Sequence, residues 1–334
     1  MPTKTPQVLP AAITAVATYV PERVVTNAEL AGTLDTSDEW IVTRTGIRER
    51  RIAGPGETTS TMGAEAVRRI MIQRGLDLDE IEAIIVATVS PDTMFPATAC
   101  LIQDRLGLRQ TWGFDLSAAC SGFLYALTTG AQMVAAGVHR RVVVVGADLM
   151  SAITDPLDRT TAVLFGDGAG AVLLEPSEPG YGLLDFVHRV DGSGRNELIM
   201  PAGGSARPAS LETVAAREHF LRQNGRVVFK YAVSRMAATV ETLLERNDLS
   251  PADIAMVIPH QANQRILDAT AEHLGLPPER MASVIARYGN TTAATLPLAL
   301  EDALARGKIS RDDLVVFVAV GAGFTVGATL VRWH

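Results

Sequence analysis

The chemistry of this chain begins with FDLSAACSGF, Phe114–Phe123, which seats Cys120 between a strand-like run and a helix-like run. That position puts the thiol at a helix start, where unpaired backbone N–H groups and the helix dipole favour an anion. The thiolate is the nucleophilic form, and a helix start draws a thiol below its usual pKa of about 8.5. Gly122, with no side chain, lets a substrate approach the turn closely. The competing reading is packing, because a free cysteine is among the most buried residue types. The residues around Cys120 leave both readings open. Two more polar residues stand in comparable places. His260, in VIPHQANQRI, follows a buried strand and precedes a helix, and Asn290, in RYGNTTAATLPLAL, stands at a helix start. Taken singly, the histidine reads as structural and the asparagine as a cap. Beside a thiol that carries an acyl group they make sense together, as neutral donors to an enolate, because stabilisation by fixed donors is a large catalytic effect.

The elements that must position these residues alternate in type. Glu82–Thr88 (EAIIVAT), Arg141–Gly146 (RVVVVG), Ala255–Pro259 (AMVIP) and Leu314–Val320 (LVVFVAV) are short β-branched apolar runs. Runs of this kind suit strands buried on both faces. Thr61–Arg74, Phe123–Ala136, Val233–Glu245 and Ala262–Leu274 read as helices, with Gly137 and Gly275 closing two of them. The class is α/β, with helices covering a mostly central sheet. Leu314–Val320 and Phe324–Arg332 flank Gly-Ala-Gly and read as a hairpin. LDLDEIEAIIVATVSP (Leu76–Pro91) and LSPADIAMVIPHQAN (Leu249–Asn263) share a pattern about half a chain apart, a sign of duplication. The Pro/Gly-rich EPSEPGYG (Glu175–Gly182) reads as the linker, so the expected halves are 11–178, with the nucleophile, and 179–334, with His260 and Asn290. Cys100, in FPATACLIQDRLG, reads as a core residue on a helix face. FGDGAGA (Phe165–Ala171) is followed by strand-like VLLE rather than a helix, so its glycines read as a tight internal turn and not a phosphate cradle.

At 334 residues the chain is long enough for a large core, and 47% apolar content fits a globular protein. A net charge of −7 gives no support for nucleic-acid binding. Met1–Pro10 is polar and lacks the apolar core of a signal peptide. No window approaches the length of a membrane helix. Two cysteines suit a reducing cytoplasm, and no Cys/His cluster has zinc-like spacing.

DTSDEWIVTRTGIRERRIA (Asp35–Ala53), DLSAACSGF, LFGDGAGA (Leu164–Ala171), IPHQANQRI and YGNTTAATLP together closely resemble the β-ketoacyl-acyl carrier protein synthase III family, from about Ala12 to Trp333. These are the condensing enzymes that start bacterial type II fatty acid synthesis. The resemblance implies a thiolase-like fold, a duplicated five-layer αβαβα sandwich, and a homodimer. It implies that Cys120 takes the acyl group of a short acyl-CoA, acetyl-CoA foremost, with no permanently bound cofactor. The backbone amides of Cys120 and Ala322 would receive the oxyanion. Here the chain departs from the family, which commonly has three glycines where this sequence has Gly321-Ala322-Gly323. A positive φ at Ala322 would cost stability. His260 and Asn290 would hold the enolate formed when malonyl-acyl carrier protein loses CO2, completing a catalytic trio with Cys120. For CoA, the resemblance implies a Trp40–Arg159 clamp on the adenine, Thr36 and Arg44 nearby, and Asn263 beside the pantetheine. Phe95 matches a residue that reaches across the dimer to the acyl pocket, and Gly225 and Phe229 match its wall. Lysines are confined to Lys4, Lys230 and Lys308, so an acidic carrier protein would dock mainly on arginine, with Arg265 the candidate.

Related condensing enzymes of polyketide, quinolone or olefin synthesis share the Cys/His/Asn trio and differ in acyl donor. A plant-type polyketide synthase fits the CoA-clamp and GNTTAA motifs less well. A hydroxymethylglutaryl-CoA synthase needs a glutamate base that has no matching motif here. A thiolase needs a second cysteine, absent from Gly321–Gly323. A non-catalytic partner subunit would lack the trio, and a dehydrogenase would need a glycine loop that opens a helix.

Overall fold

The β-branched runs form strands whose alternate side chains are buried on opposite faces, so each sheet needs a cover on both sides. The structure, a computed structural model, describes residues 10–334. The stretch 1–9, which carries most of the segment read as lacking a signal-peptide core, lies outside the described residues. Strands β1 (Ala11–Tyr19), β2 (Ala83–Ala87), β3 (Trp112–Leu116), β4 (Val142–Asp148) and β5 (Gly168–Pro176) make a first sheet in the order β1-β5-β4-β2-β3. Strands β6 (Gly182–Val190), β7 (Met256–Pro259), β8 (Leu314–Gly321) and β9 (Thr325–Arg332) make a second, ordered β7-β8-β9-β6.

Of seven main helices, α1 (Asp38–Thr45) packs in a small cluster of its own with Ile47, Val163 and Ile285, and six cover the sheets: α2 (Thr59–Arg74), α3 (Thr98–Leu106), α4 (Gly122–Ala135), α5 (Gly225–Arg246), α6 (Gln264–Leu274) and α7 (Thr295–Ala305). In β4, Val142 and Val144 pack on α4 and α7, whereas Val143 and Val145 pack on α2 and α3. In β8, Val315 and Phe317 point into that same central layer, whereas Val316 and Val318 meet α5 and α6. The order is therefore α2/α3, first sheet, α4/α7, second sheet, α5/α6: the five-layer αβαβα sandwich of the thiolase fold.

The internal repeat seen in the sequence is structural. The run β1-α2-β2-α3-β3-α4-β4-β5 is matched by β6-α5-β7-α6-α7-β8-β9, with parallel β2/β4 and β7/β8 and antiparallel β4/β5 and β8/β9. The counterpart of β3 is reduced to one parallel bridge between Val257 and Met281. Residues 177–181 connect β5 to β6. The hairpin at Gly-Ala-Gly forms as expected, with Gly321 paired to Thr325.

Three expectations change. Cys100 is exposed, not core: α3 buries Thr98, Ala99 and Ile102, and Cys100 falls on the opposite face. FGDGAGA is not a tight turn, because Gly168–Ala171 already belong to β5. Its glycines serve close packing instead; a Cβ on Gly170 would lie 2.6 Å from the Pro297 ring of α7. Helix α5 starts at Gly225, well before the expected Val233. Among the described residues, no helix is long and apolar enough to cross a membrane.

Candidate active site

Cys120 sits in a single 3-10 turn, Ala119–Ser121, that runs straight into α4. Ala119 adopts φ +49°, a left-handed conformation that a non-glycine residue holds only under restraint. The turn is restrained from two sides. Gly122 packs against Ala87 of β2, where a Cβ would meet the Ala87 Cβ at 3.3 Å. Its bareness therefore seats the helix on the sheet; it does not face a substrate. On the other side, a Cβ on Gly321 would stand 2.8 Å from the Cys120 amide nitrogen. The hairpin thus brings its own backbone up to Cys120.

His260 follows β7 directly, and its backbone N–H donates to the Val318 carbonyl of β8 at 2.7 Å. The next residue, Gln261, is fully buried and bonds the Ala282 carbonyl and the Val284 N–H, which locks the loop. Sequence reasoning passed over Gln261 although it adjoins the histidine. Burial pushes the His260 imidazole down to about 4, only partly offset by backbone at Thr292, so the ring is neutral at pH 7. Its Nδ1 has no hydrogen-bond partner.

Asn290 is held by backbone at both ends: its N–H donates to Leu164 O at 2.8 Å, and its carbonyl accepts from Gly166 N–H at 3.1 Å. Its Oδ1 accepts from the Thr292 N–H at 2.9 Å. An N–H can bond only to the oxygen, so the side-chain orientation is fixed and Nδ2 is left to donate.

These three residues, far apart in sequence, line one cavity together with Phe165 and the Gly321–Phe324 turn. A second, apolar chamber lies beyond them, walled by Val89, Met150, Ile153 and Leu221. The two chambers share Cys120, Phe165, Leu198 and Ala322, so the thiol stands at their junction. Among the described residues, no group of three or more His, Cys, Asp or Glu side chains is placed to hold a metal.

The expected lowering of the thiol pKa is overturned. Burial, reinforced by the Asp148 carboxylate, pushes Cys120 up to about 12, and the helix-start amide offsets only part of it. Asp148 is itself fully buried and collects Thr88, Val89 and Ser90 on Oδ1 and the Ala293 N–H on Oδ2. It ties the wall of the apolar chamber to the segment after Asn290, and no sequence motif marked it. The anticipated strain at Ala322 is absent too. The positive φ values fall on Gly323 (+69°) and Phe324 (+51°), so Ala322 keeps its N–H without a left-handed backbone.

The outer residues gather only in part. Arg44 and Arg159 each place a guanidinium 5.6 Å from the half-buried Trp40 ring, and Thr36 keeps a buried hydroxyl without a partner. Arg159 also bonds the Asp35 carbonyl at 2.7 Å. The Asn263 amide is spent on structure: Oδ1 caps α6 at the Arg265 N–H, and Nδ2 donates to Arg44 O at 2.9 Å. Gly225 and Phe229 lie outside both chambers, because the inward face of α5 is set by Val228, Tyr231, Ala232 and Met236. Phe229 instead packs under the exposed Arg265 guanidinium at 5.2 Å. Phe95 is 85% exposed and far from being a wall of either chamber within its own chain.

Comparison with known proteins identifies the family. Residues 114–192 match the family model for 3-oxoacyl-[acyl-carrier-protein (ACP)] synthase III, and residues 244–333 match the model for its C-terminal part. The beta-ketoacyl-[acyl-carrier-protein] synthase III of Solibacter usitatus is 55% identical over 326 residues, covering 97% of this chain and 98% of its own. The solved beta-ketoacyl synthase III of Thermus thermophilus is 45% identical with a TM-score of 0.90, covering 97% of this chain and 99% of its own. The solved priming beta-ketosynthase of a polyketide pathway is 34% identical with a TM-score of 0.91, covering 100% and 99%. With its thiolase fold and buried cysteine at the junction of two chambers, the chain belongs to the β-ketoacyl-acyl carrier protein synthase III family, acyltransferases that carry out condensation in fatty acid synthesis.

Proposed function

We propose that this member joins a short acyl-CoA primer, acetyl-CoA foremost, to malonyl-acyl carrier protein through an acyl-Cys120 intermediate. The observation that carries the reading is the meeting of Cys120, His260 and Asn290 in one cavity. The Cys120 sulfur attacks the thioester carbonyl of the primer, its proton leaves with the CoA thiolate, and a new thioester forms on the enzyme. The amides of Cys120 and Ala322 receive the oxyanion, a role that asks only for fixed donors. A thiol pushed up by burial reacts only as its proton leaves, so CoA departure and deprotonation are linked.

In the second half-reaction the malonyl group releases CO2, and the bonding pair moves into its thioester carbonyl as an enolate. Neutral His260 and the free Nδ2 of Asn290 donate to that oxygen; the enolate carbon then attacks the acyl group and expels the Cys120 sulfur. The neutrality of His260 and the fixed amide of Asn290 support these roles. The apolar second chamber suits the acyl chain, and Trp40 with Arg159 suits adenine once the arginine swings off the ring. Arg265, exposed on α6, is the proposed docking cation for the carrier protein.

Homodimerisation belongs to the same reading. Strand β3 is an edge of the first sheet, and Met94 and Phe95 stand exposed on the chain. An unpaired edge that itself exposes Trp112 invites a second copy. Phe95 would then cap the partner's acyl chamber. A priming role in polyketide synthesis is the second reading, favoured by the 34% identity to a solved enzyme of that kind.

Intact-mass spectrometry after incubation with a panel of acyl-CoAs tests the proposal. A single acetyl adduct, absent in Cys120→Ser, is the expected result. Strong preference for a longer or branched primer would favour the second reading, and no adduct with any acyl-CoA would overturn acyl-CoA as the donor.

A further inference from the structure

The turn between β8 and β9 carries more restraint than a hairpin requires. Phe324 holds φ +51°, a conformation that a bulky residue adopts only when its surroundings force it. A sandwich supplies the force. One face of the Phe324 ring stacks on Tyr231 of α5, with centroids 3.8 Å apart and planes 8° apart. The opposite face lies on Gly194, where any Cβ would penetrate the ring. The Phe324 carbonyl accepts from the Asp191 N–H at 3.1 Å and from the Tyr231 hydroxyl at 3.1 Å. One residue on, Thr325 Oγ1 donates to Ala118 O at 3.0 Å, and Ser121 Oγ donates to Thr325 O at 3.2 Å. Ala118 precedes the turn that bears Cys120, and Ser121 ends it. The Ala322 amide is therefore held from one side by the ring sandwich and cross-linked from the other to the nucleophile's own backbone.

We infer that Phe324, clamped between Gly194 and Tyr231, is a positioning residue that fixes the Ala322 amide relative to the Cys120 amide, so that both reach one oxyanion. The inference rests on the reading of those two amides as the oxyanion donors. The clamp also reaches the acyl end of the site, because the Gly192–Gly194 turn leads to Leu198, a wall of both chambers. Donor placement of this kind acts on the transition state, so its loss lowers rate without weakening primer binding.

Two reactions of the same thiol separate positioning from mere packing. Acylation by an acyl-CoA passes through an oxyanion; alkylation by iodoacetamide does not. Both rates are measured in the full-length enzyme, with acylation followed for whichever of acetyl-, butyryl- and isobutyryl-CoA reacts fastest. In Gly194→Ala and in Phe324→Ala, acylation is expected to fall at least about tenfold, with alkylation within about twofold and KM for the acyl-CoA within about threefold. Tyr231→Phe, which keeps the ring stack but removes the hydroxyl bond to the Phe324 carbonyl, is expected to lose less of the acylation rate than Phe324→Ala. Thermal melting identifies any variant that fails to fold, and Phe324→Leu then takes its place. Unchanged acylation, a parallel fall in both rates, or a change confined to KM would each overturn the clamp. Ala322→Pro, which deletes the amide, tells the two ideas apart. If it splits the two rates and the clamp variants do not, the clamp alone falls; if it splits neither, the oxyanion reading falls with it.

Discussion

The floor of the cavity and its mouth are built in different ways. On the floor, Cys120, His260 and Asn290 are each no more than 5% exposed, and backbone hydrogen bonds or strand ends set all three. At the mouth, Arg44, Arg159 and Arg265 are exposed side chains resting on the rings of Trp40 and Phe229. Bond-making tolerates little misplacement, so the proposed chemistry falls to groups carried by rigid elements. Ligand capture requires movement, and long side chains on aromatic faces can shift at small cost. The stabilising tie of Arg159 to Asp35 is of this exposed kind, worth little and easily exchanged for a ligand.

If that division holds, floor substitutions cost turnover and mouth substitutions cost binding. The largest effect is expected for Asn290→Asp. The Thr292 N–H would still find a carboxylate oxygen, but the proposed donor to the enolate would become an anion. Malonyl decarboxylation should fall about 100-fold or more while acylation of Cys120 stays within a few-fold. Retention of decarboxylation would remove Asn290 from the enolate site.

The next effect is a pH slope. A thiol raised to about 12 remains mostly protonated at neutral pH, and its reactive fraction grows about tenfold per unit below that value. Alkylation of Cys120 by iodoacetamide should therefore still climb about tenfold per pH unit between pH 7 and pH 9.5. A plateau below pH 8.5 would mean that the helix start outweighs burial. The smallest effect belongs to the mouth: Trp40→Ala should raise KM for the acyl-CoA about tenfold, as expected for loss of one stacked base, with kcat nearly unchanged. A fall in kcat without a change in KM would erase the distinction between floor and mouth.

Much of this was legible in the residues. Val142–Val145 and Leu314–Val320 could only be strands covered on both faces, and the repeat about Leu76–Pro91 and Leu249–Asn263 foretold two halves with one plan. The motifs at Cys120, His260 and Asn290 named residues that the fold does bring together. Where the reading failed, the missing information was three-dimensional. Cys100 has the hydrophobicity of a core residue, but helix rotation, not composition, turned it outward. Gly225 and Phe229 lie close in sequence to the true wall residues Val228, Tyr231 and Ala232, and a rotation of one residue about α5 separates facing from not facing.

By itself, then, the sequence determined the class of element at each position, the duplication and the chemical identity of the three central groups, because hydrophobic period and side-chain type are local properties. The tertiary structure alone decided which charge states those groups hold and which backbone meets them. Burial overrode the helix start at Cys120, Asp148 appeared behind it from another strand, and Gly321 and Thr325 were brought against the turn that bears Cys120 from about 200 residues away. Solvation and close approach are sums over neighbours distant in the chain, and they exist only once the layers have packed.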